Sequence, residues 1–120
     1  MISVVVICHN YGRFLEKCVS SIIKADNKFL KEIIIVDDSS TDNTKIIAKN
    51  LKKKYKKISL YKKKFKSLSK STNYAISKSS GSWIVKVDAD DYVSKNFISD
   101  FVSKIKINNQ TDYICSDIIY

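Results

Sequence analysis

Apolar residues along this chain come in short runs that end abruptly in polar turns. Ile33-Ile34-Ile35-Val36 is followed by Asp37-Asp38-Ser39-Ser40-Thr41-Asp42, and Trp83-Ile84-Val85-Lys86-Val87 by Asp88-Ala89-Asp90-Asp91. Runs rich in β-branched residues and bounded by turn residues predict buried strands. Residues 2–8 predict another strand, and 58–61 a short one. Between them the period changes to that of a helix. Residues 13–25 set Phe14, Leu15, Cys18, Val19, Ile22 and Ile23 on one face. The next helix is expected to begin near Thr41 or Asp42, as N-caps, and to turn Ile46, Ile47 and Leu51 inward. Further helices are expected over 69–79, ended by Gly81, and over 94–107, with a last strand starting at Tyr113-Ile114-Cys115.

Strands that alternate with helices imply an α/β fold, a mostly parallel sheet flanked by helices on both faces. The whole chain, 1–120, reads as one domain, with no repeat, no proline and no linker. In such a sheet ligands bind beyond the carboxyl ends of the strands, where both aspartate clusters fall. Carboxylates crowded together repel one another, and a divalent cation carrying a phosphorylated ligand is their natural compensation.

Composition narrows the choice. No apolar stretch approaches the roughly 20 residues of a membrane span. The chain passes from Met1 straight into Ile2-Ser3-Val4-Val5-Val6-Ile7, which reads as a strand rather than a leader, so the expectation is a cytoplasmic protein. Cys8, Cys18 and Cys115 are odd in number and scattered, which suits neither a disulfide framework nor a zinc site. With Gly12 and Gly81 as the only glycines, neither phosphate-binding glycine fingerprint is present, so a nicotinamide dehydrogenase or P-loop enzyme is not expected. Of 22 basic residues only Arg13 is arginine, and nine lysines lie between Lys52 and Lys66. A solvated lysine-rich surface is the plain reading. The sharper ones are an electrostatic funnel for a nucleotide, or peripheral contact with an anionic membrane at its inner face. Nucleic acid is not an expected partner, since no binding motif accompanies the charge.

Four segments in order and register carry a resemblance. They are Ser3 through Leu15, Val36-Asp37-Asp38-Ser39-Ser40-Thr41-Asp42-Asn43-Thr44, Asn73-Tyr74-Ala75-Ile76 with Gly81-Ser82-Trp83-Ile84, and Val87-Asp88-Ala89-Asp90-Asp91-Tyr92. Together they resemble the nucleotide-binding half of the family 2 glycosyltransferases, which have the GT-A fold. The resemblance implies metal-dependent, inverting transfer of a sugar from a nucleotide-diphosphate sugar, with UDP favoured, to a glycan or lipid-linked acceptor in cell-surface polysaccharide or lipopolysaccharide synthesis. It places Cys8 and Asn10 beside the base, Asp37 and Asp38 on base and ribose, and Asn73 among the donor-binding residues. Asp88 would face ribose and phosphate, Asp90 with Asp88 would hold Mn²⁺ or Mg²⁺, and Asp91 would assist the metal or orient the sugar.

The stretch from Phe65 to Asn73 departs from the family pattern, with Ser67 at its glycine position and Thr72 at its arginine position. Asp100, Asp112 and Asp117 follow the last cluster, and no motif marks any of them as the general base. The chain is thus expected to be the donor half of a longer enzyme, with a donor-binding fragment or an anionic-polymer or membrane-binding module as the alternative. A receiver-like signalling domain fits less well, because its acidic pair should follow the first strand, which here ends in Cys8-His9-Asn10.

Overall fold

The computed structural model describes residues 1–25, 27–110 and 112–114. Its elements alternate. β1 is Ile2–Cys8, α1 Gly12–Lys24, β2 Leu30–Asp38, α2 Thr44–Lys54, β3 Ile58–Lys63, α3 Leu68–Lys78, β4 Trp83–Asp88 and α4 Phe97–Ile107, with one 3₁₀ turn at Asn27–Phe29. The described strands form one sheet in the order β3-β2-β1-β4, and each pairing is parallel. The chain runs outward from β1 through β2 to β3, then crosses to β4 on the far side of β1. That reversal puts a crevice at the carboxyl end of the central strands.

Strand alternation sorts the core onto two faces. Val4, Val6, Ile33 and Ile35 pack with Leu15, Cys18, Val19 and Ile22 of α1, Ala48 and Leu51 of α2, and Ile98 of α4. Val5, Ile7, Ile34 and Val36 face the other way, onto Ala75 of α3, with Tyr61 and Tyr74 alongside. Because β1 and β2 are covered on both sides, their sequences are apolar throughout instead of alternating.

β4 corrects the expectation of a second fully buried strand. Val85 and Val87 are buried, while Ile84, Lys86 and Asp88 on the opposite face are exposed. Other expectations also shift. The first turn of α2 starts at Thr44, not at Thr41 or Asp42, and Ile46 points to solvent at 63% exposure while Leu51 is buried. α4 begins at Phe97. α3 ends at Lys78 with Ser79 as its cap, so Gly81 does not terminate it. Gly81 is instead required by a close approach, because a Cβ there would lie 2.7 Å from both the amide N and the Oγ of Ser3. Tyr113 and Ile114 form no strand, and Cys115 and Asp117 lie outside the described residues.

A polar latch holds the amino end of the sheet. One Oε1 of Glu32 accepts from Ser3 Oγ (2.7 Å), Ser80 N (2.7 Å) and Ser80 Oγ (2.8 Å), tying the α3–β4 connection across β1 and β2. Burial raises the Glu32 pKa, but the Ser3 and Ser80 donors outweigh it and leave the carboxyl below its ordinary value.

Candidate functional site

Three turns meet at the carboxyl end of the sheet, and each contains a non-glycine residue with left-handed backbone: Asn10 (φ 56°), Ser39 (φ 61°) and Lys66 (φ 51°). Such positions cost free energy and are kept where surrounding bonds over-determine them. Here the bonds are plain. Asn10 Oδ1 accepts from the amides of Thr41 (2.7 Å) and Asp42 (3.2 Å), and the Asn10 amide donates to Ser40 Oγ (3.0 Å). The turn after β1 is thereby tied to the turn after β2.

Asp42 continues the tie. Its carboxylate accepts from the amides of Gly12 (3.1 Å) and Thr44 (2.9 Å) and from the Thr44 hydroxyl, so one side chain serves the first turns of both α1 and α2. The Thr44 hydroxyl, followed by those amides, holds the Asp42 carboxyl below its usual range against a smaller opposing effect of desolvation. The two helix starts are so close that a Cβ on Gly12 would lie 2.9 Å from the Thr44 amide nitrogen.

Asp38 lies on the α3 face of the sheet, buried, with both oxygens engaged. Oδ1 accepts from Lys66 N (2.9 Å) and Ser39 Oγ (2.9 Å), and Oδ2 from Ser67 N (3.1 Å) and Ser71 Oγ (2.8 Å). Burial pushes this carboxyl up, but the two amides and two hydroxyls prevail and hold it at about 2. Four donors account for the lone pairs of a carboxylate. Asp38 therefore anchors the segment before α3. The left-handed residue in that segment is Lys66, whereas Ser67, at the family's glycine position, is extended (φ −153°) and caps α3 by accepting from Lys70 N at 3.3 Å. Losing the glycine therefore places no strain on Ser67.

A cleft of about 640 Å³ opens in front of this anchor, with Ile7, His9, Asn10, Asp38, Ser67 and Leu68 among its walls. His9 Nδ1 lies 2.8 Å from the Asp38 carbonyl oxygen. A carbonyl only accepts, so Nδ1 carries the proton and Nε2 is left with the lone pair in the neutral ring.

The remaining expected residues divide. Asn10 and Asp38 line the cleft, whereas Cys8 and Asp37 do not. By alternation both turn to the α1 face, where Cys8 is fully buried and its thiol pKa is pushed well up by desolvation, then by Cys18 and Asp37. Asp37 is 5% exposed, and its Oδ1 has no hydrogen-bond partner among the described residues. Asn73 is exposed on α3, outside the cleft wall. Asp88, Asp90 and Asp91 are exposed at the end of β4, where the Asp91 amide closes a turn onto the Asp88 carbonyl (3.0 Å). Asp88 pairs with Lys86, and among the described residues Asp90 has neither hydrogen bond nor ion pair.

Among the described residues no three Asp, Glu, His or Cys side chains converge as a metal cage. The donor set at β4 still suits Mn²⁺ or Mg²⁺, since hard oxygens of one or two carboxylates are what such a cation takes from protein when phosphates and water supply the rest. Sequence reasoning missed Lys66, Ser67 and Ser71 as the partners of Asp38. The one local signal for them was a serine cap preceding a helix, Ser67-Leu68-Ser69-Lys70-Ser71.

An open parallel sheet with an acidic, cross-tied rim and a cleft beside its central strands defines an α/β ligand-binding class. Within that class the chain belongs to glycosyl transferase family 2, whose model matches residues 3–119. It is 34% identical over 107 residues to the glycosyltransferase GlyG of Streptococcus pneumoniae, covering 88% of this chain and 35% of that protein. It is also 32% identical over 100 residues to the poly(ribitol-phosphate) β-N-acetylglucosaminyltransferase TarS of Staphylococcus aureus, covering 82% of this chain and 18% of TarS. The solved structure of TarS residues 1–349 with UDP-GlcNAc superposes at a TM-score of 0.80 and 27% identity, covering 90% of this chain and 32% of that one. The Pyrobaculum calidifontis mannosyltransferase PcManGT, in complex with GDP-Man and Mn²⁺, shares the fold at 21% identity and a TM-score of 0.79, over 87% of this chain and 32% of its own. The chain thus spans about a third or less of the length of these relatives.

Proposed function

We propose that this chain supplies the donor-binding half of an inverting glycosyltransferase, which moves a sugar from a nucleotide-diphosphate sugar, UDP favoured, to an acceptor hydroxyl. The observation that carries the reading is the cleft between the β1 turn and the Asp38-anchored segment, at the same end of the sheet as the exposed Asp88 and Asp90. The proposed setting is cell-surface glycan assembly. UDP-GlcNAc bound to TarS supports a UDP donor.

The base would enter against the side chains of Ile7, His9 and Leu68. His9 offers Nε2 to a donor on the base, and its Nδ1–H bond to the Asp38 carbonyl fixes the ring. Asp38 holds the wall, and it would accept from the base itself only by giving up one of its four present donors. Asn10 keeps the β1 turn in place. Cys8, Asp37 and Asn73 remain donor-binding residues of this proposal on the family resemblance, although none of them lines the cleft. Asp88 is proposed to face ribose and phosphates, Asp90 with Asp88 to hold Mn²⁺ or Mg²⁺, and Asp91 to orient the sugar. The cation, when bound, would neutralise the charge that builds on the departing nucleoside diphosphate. Lys86 pairs with Asp88, and a bound cation would compete with it for that carboxylate. The general base is left to the part of the enzyme that meets the acceptor.

Calorimetric titration of UDP and GDP, with Mn²⁺ and with EDTA, into the chain and into Asp90→Ala tests this reading. Metal-dependent binding that Asp90→Ala abolishes supports it. Binding of neither nucleotide under any condition overturns it.

A further inference from the structure

All 12 acidic residues lie outside residues 43–87, and that stretch holds 14 lysines. It contains α2 on one face of the sheet, β3 at one edge, α3 on the other face and most of β4 at the far edge. Strand alternation divides the lysines. Lys62 pairs in register with Asp37 and so faces α2, while Lys63 faces α3 and lies over the Tyr74 ring at 4.2 Å. On α2, Lys45 and Lys49 are one turn apart and meet Lys62. Partial desolvation, together with the ammoniums of Lys45 and Lys49, brings Lys62 down to about 8. Lys52 and Lys53 continue the surface, and Ile46 stands exposed among them. Among the described residues no carboxylate pairs with Lys45, Lys49, Lys52, Lys53 or Lys62.

Two structural explanations account for only part of this. Lysines on an outer strand discourage pairing with other chains, which covers Lys62 but not the α2 residues. Lysines in the last turn of a helix complement its dipole, which covers Lys52 and Lys53. Lys45 sits in the first turn, where the dipole disfavours it, and that turn has no acidic residue. The concentration of charge thus opposes local stability at Lys45 and lowers the charge on Lys62.

We propose that the face formed by α2 and the β3 edge docks this protein on an anionic phospholipid surface. Charge complementarity selects the partner. Headgroups at a surface are a diffuse field to which each ammonium adds independently, and a lysine suits that as well as an arginine does. Recognition of nucleic acid or of a fixed phosphate draws on the forked guanidinium, and arginine is absent from this face. Exposed Ile46 gives the face one side chain able to enter the headgroup layer. Lys66, also exposed, lies at the cleft wall.

Docking is measured by co-sedimentation with vesicles of phosphatidylcholine alone and of phosphatidylcholine mixed with phosphatidylglycerol. Two charge-matched variants go beside the parent chain, Lys45→Gln/Lys49→Gln/Lys62→Gln and Lys24→Gln/Lys95→Gln/Lys104→Gln. The expected result is binding to the anionic vesicles only, weakened by salt. The first variant should lose affinity by roughly fivefold per lysine, about a hundredfold in all, and the second should stay within about twofold of the parent. UDP titration of the first variant should match the parent, which separates docking from donor binding. Equal loss in both variants, equal binding to the two vesicle types, or tighter capture by a soluble RNA than by anionic vesicles overturns the proposal.

Discussion

The Ser71 hydroxyl donates to the Asp38 carboxylate at 2.8 Å, with both side chains buried, across 33 residues of sequence. The bond joins the carboxyl end of β2 to the first turns of α3, so the cleft wall depends on a single carboxylate. Replacing it should strand three donors together, the amides of Lys66 and Ser67 and the hydroxyl of Ser71. Asp38→Ala should cost roughly 2–3 kcal/mol, measured as the shift in urea midpoint. Ser71→Ala should cost only about 1 kcal/mol. Because the two residues share one bond, the double variant should lose less than the sum of the single losses.

Acid should unfold the protein through the same carboxylates. Asp38 (to about 2 from 3.8), Asp42 and Glu32 all have folded pKa values below their ordinary ones. As pH falls the unfolded chain takes up these protons first, so stability is fully present above the ordinary carboxylate range and declines as pH drops toward about 2. Urea midpoints measured downward from pH 6 should show this decline in the parent chain. Asp38→Asn should remove most of its part below pH 4, and an unchanged slope in that variant would refute the assignment.

Gly12→Ala should destabilise through sterics alone. The added methyl meets the backbone nitrogen of Thr44, which is fixed in the first turn of α2, and the Asn43 side chain. A loss of roughly 1–3 kcal/mol is expected, read from Tm. Asn43→Ala should recover only part of it, because the Thr44 contact persists.

His9→Ala should leave the fold intact, since the ring is exposed, and should weaken UDP binding roughly fivefold to tenfold, the value of about one hydrogen bond. His9→Asn should restore a share of the affinity if the donor to the Asp38 carbonyl is what positions the wall. Equal calorimetric affinities for the parent and the alanine variant would remove His9 from the donor site.

How far the fold was legible depended on the range of the forces involved. Ile33-Ile34-Ile35-Val36 and Ser3 through Cys8 announced central strands, because burial on both faces leaves a continuous apolar run that no surface element imitates. The α1 stripe was equally plain. Trp83 to Val87 misled, because its alternating exposure was masked by Ile84, an apolar residue on the open face. Gly81 misled for another reason, since its constraint is the backbone of Ser3, which sequence separation hides. The aspartate clusters were placed at the correct ends of their strands. That Asp38 would be occupied by Lys66, Ser67 and Ser71, while Asp37 and Cys8 turned to the opposite face, needed the register of β1 on β2 and the path of α3.

The separation of charge along the chain has a last consequence. Residues 43–87 hold 14 lysines and no acid, and they account for the whole chain's net charge of +10. That excess speeds encounter with any anionic surface, and the rate of encounter should fall steeply as salt is added.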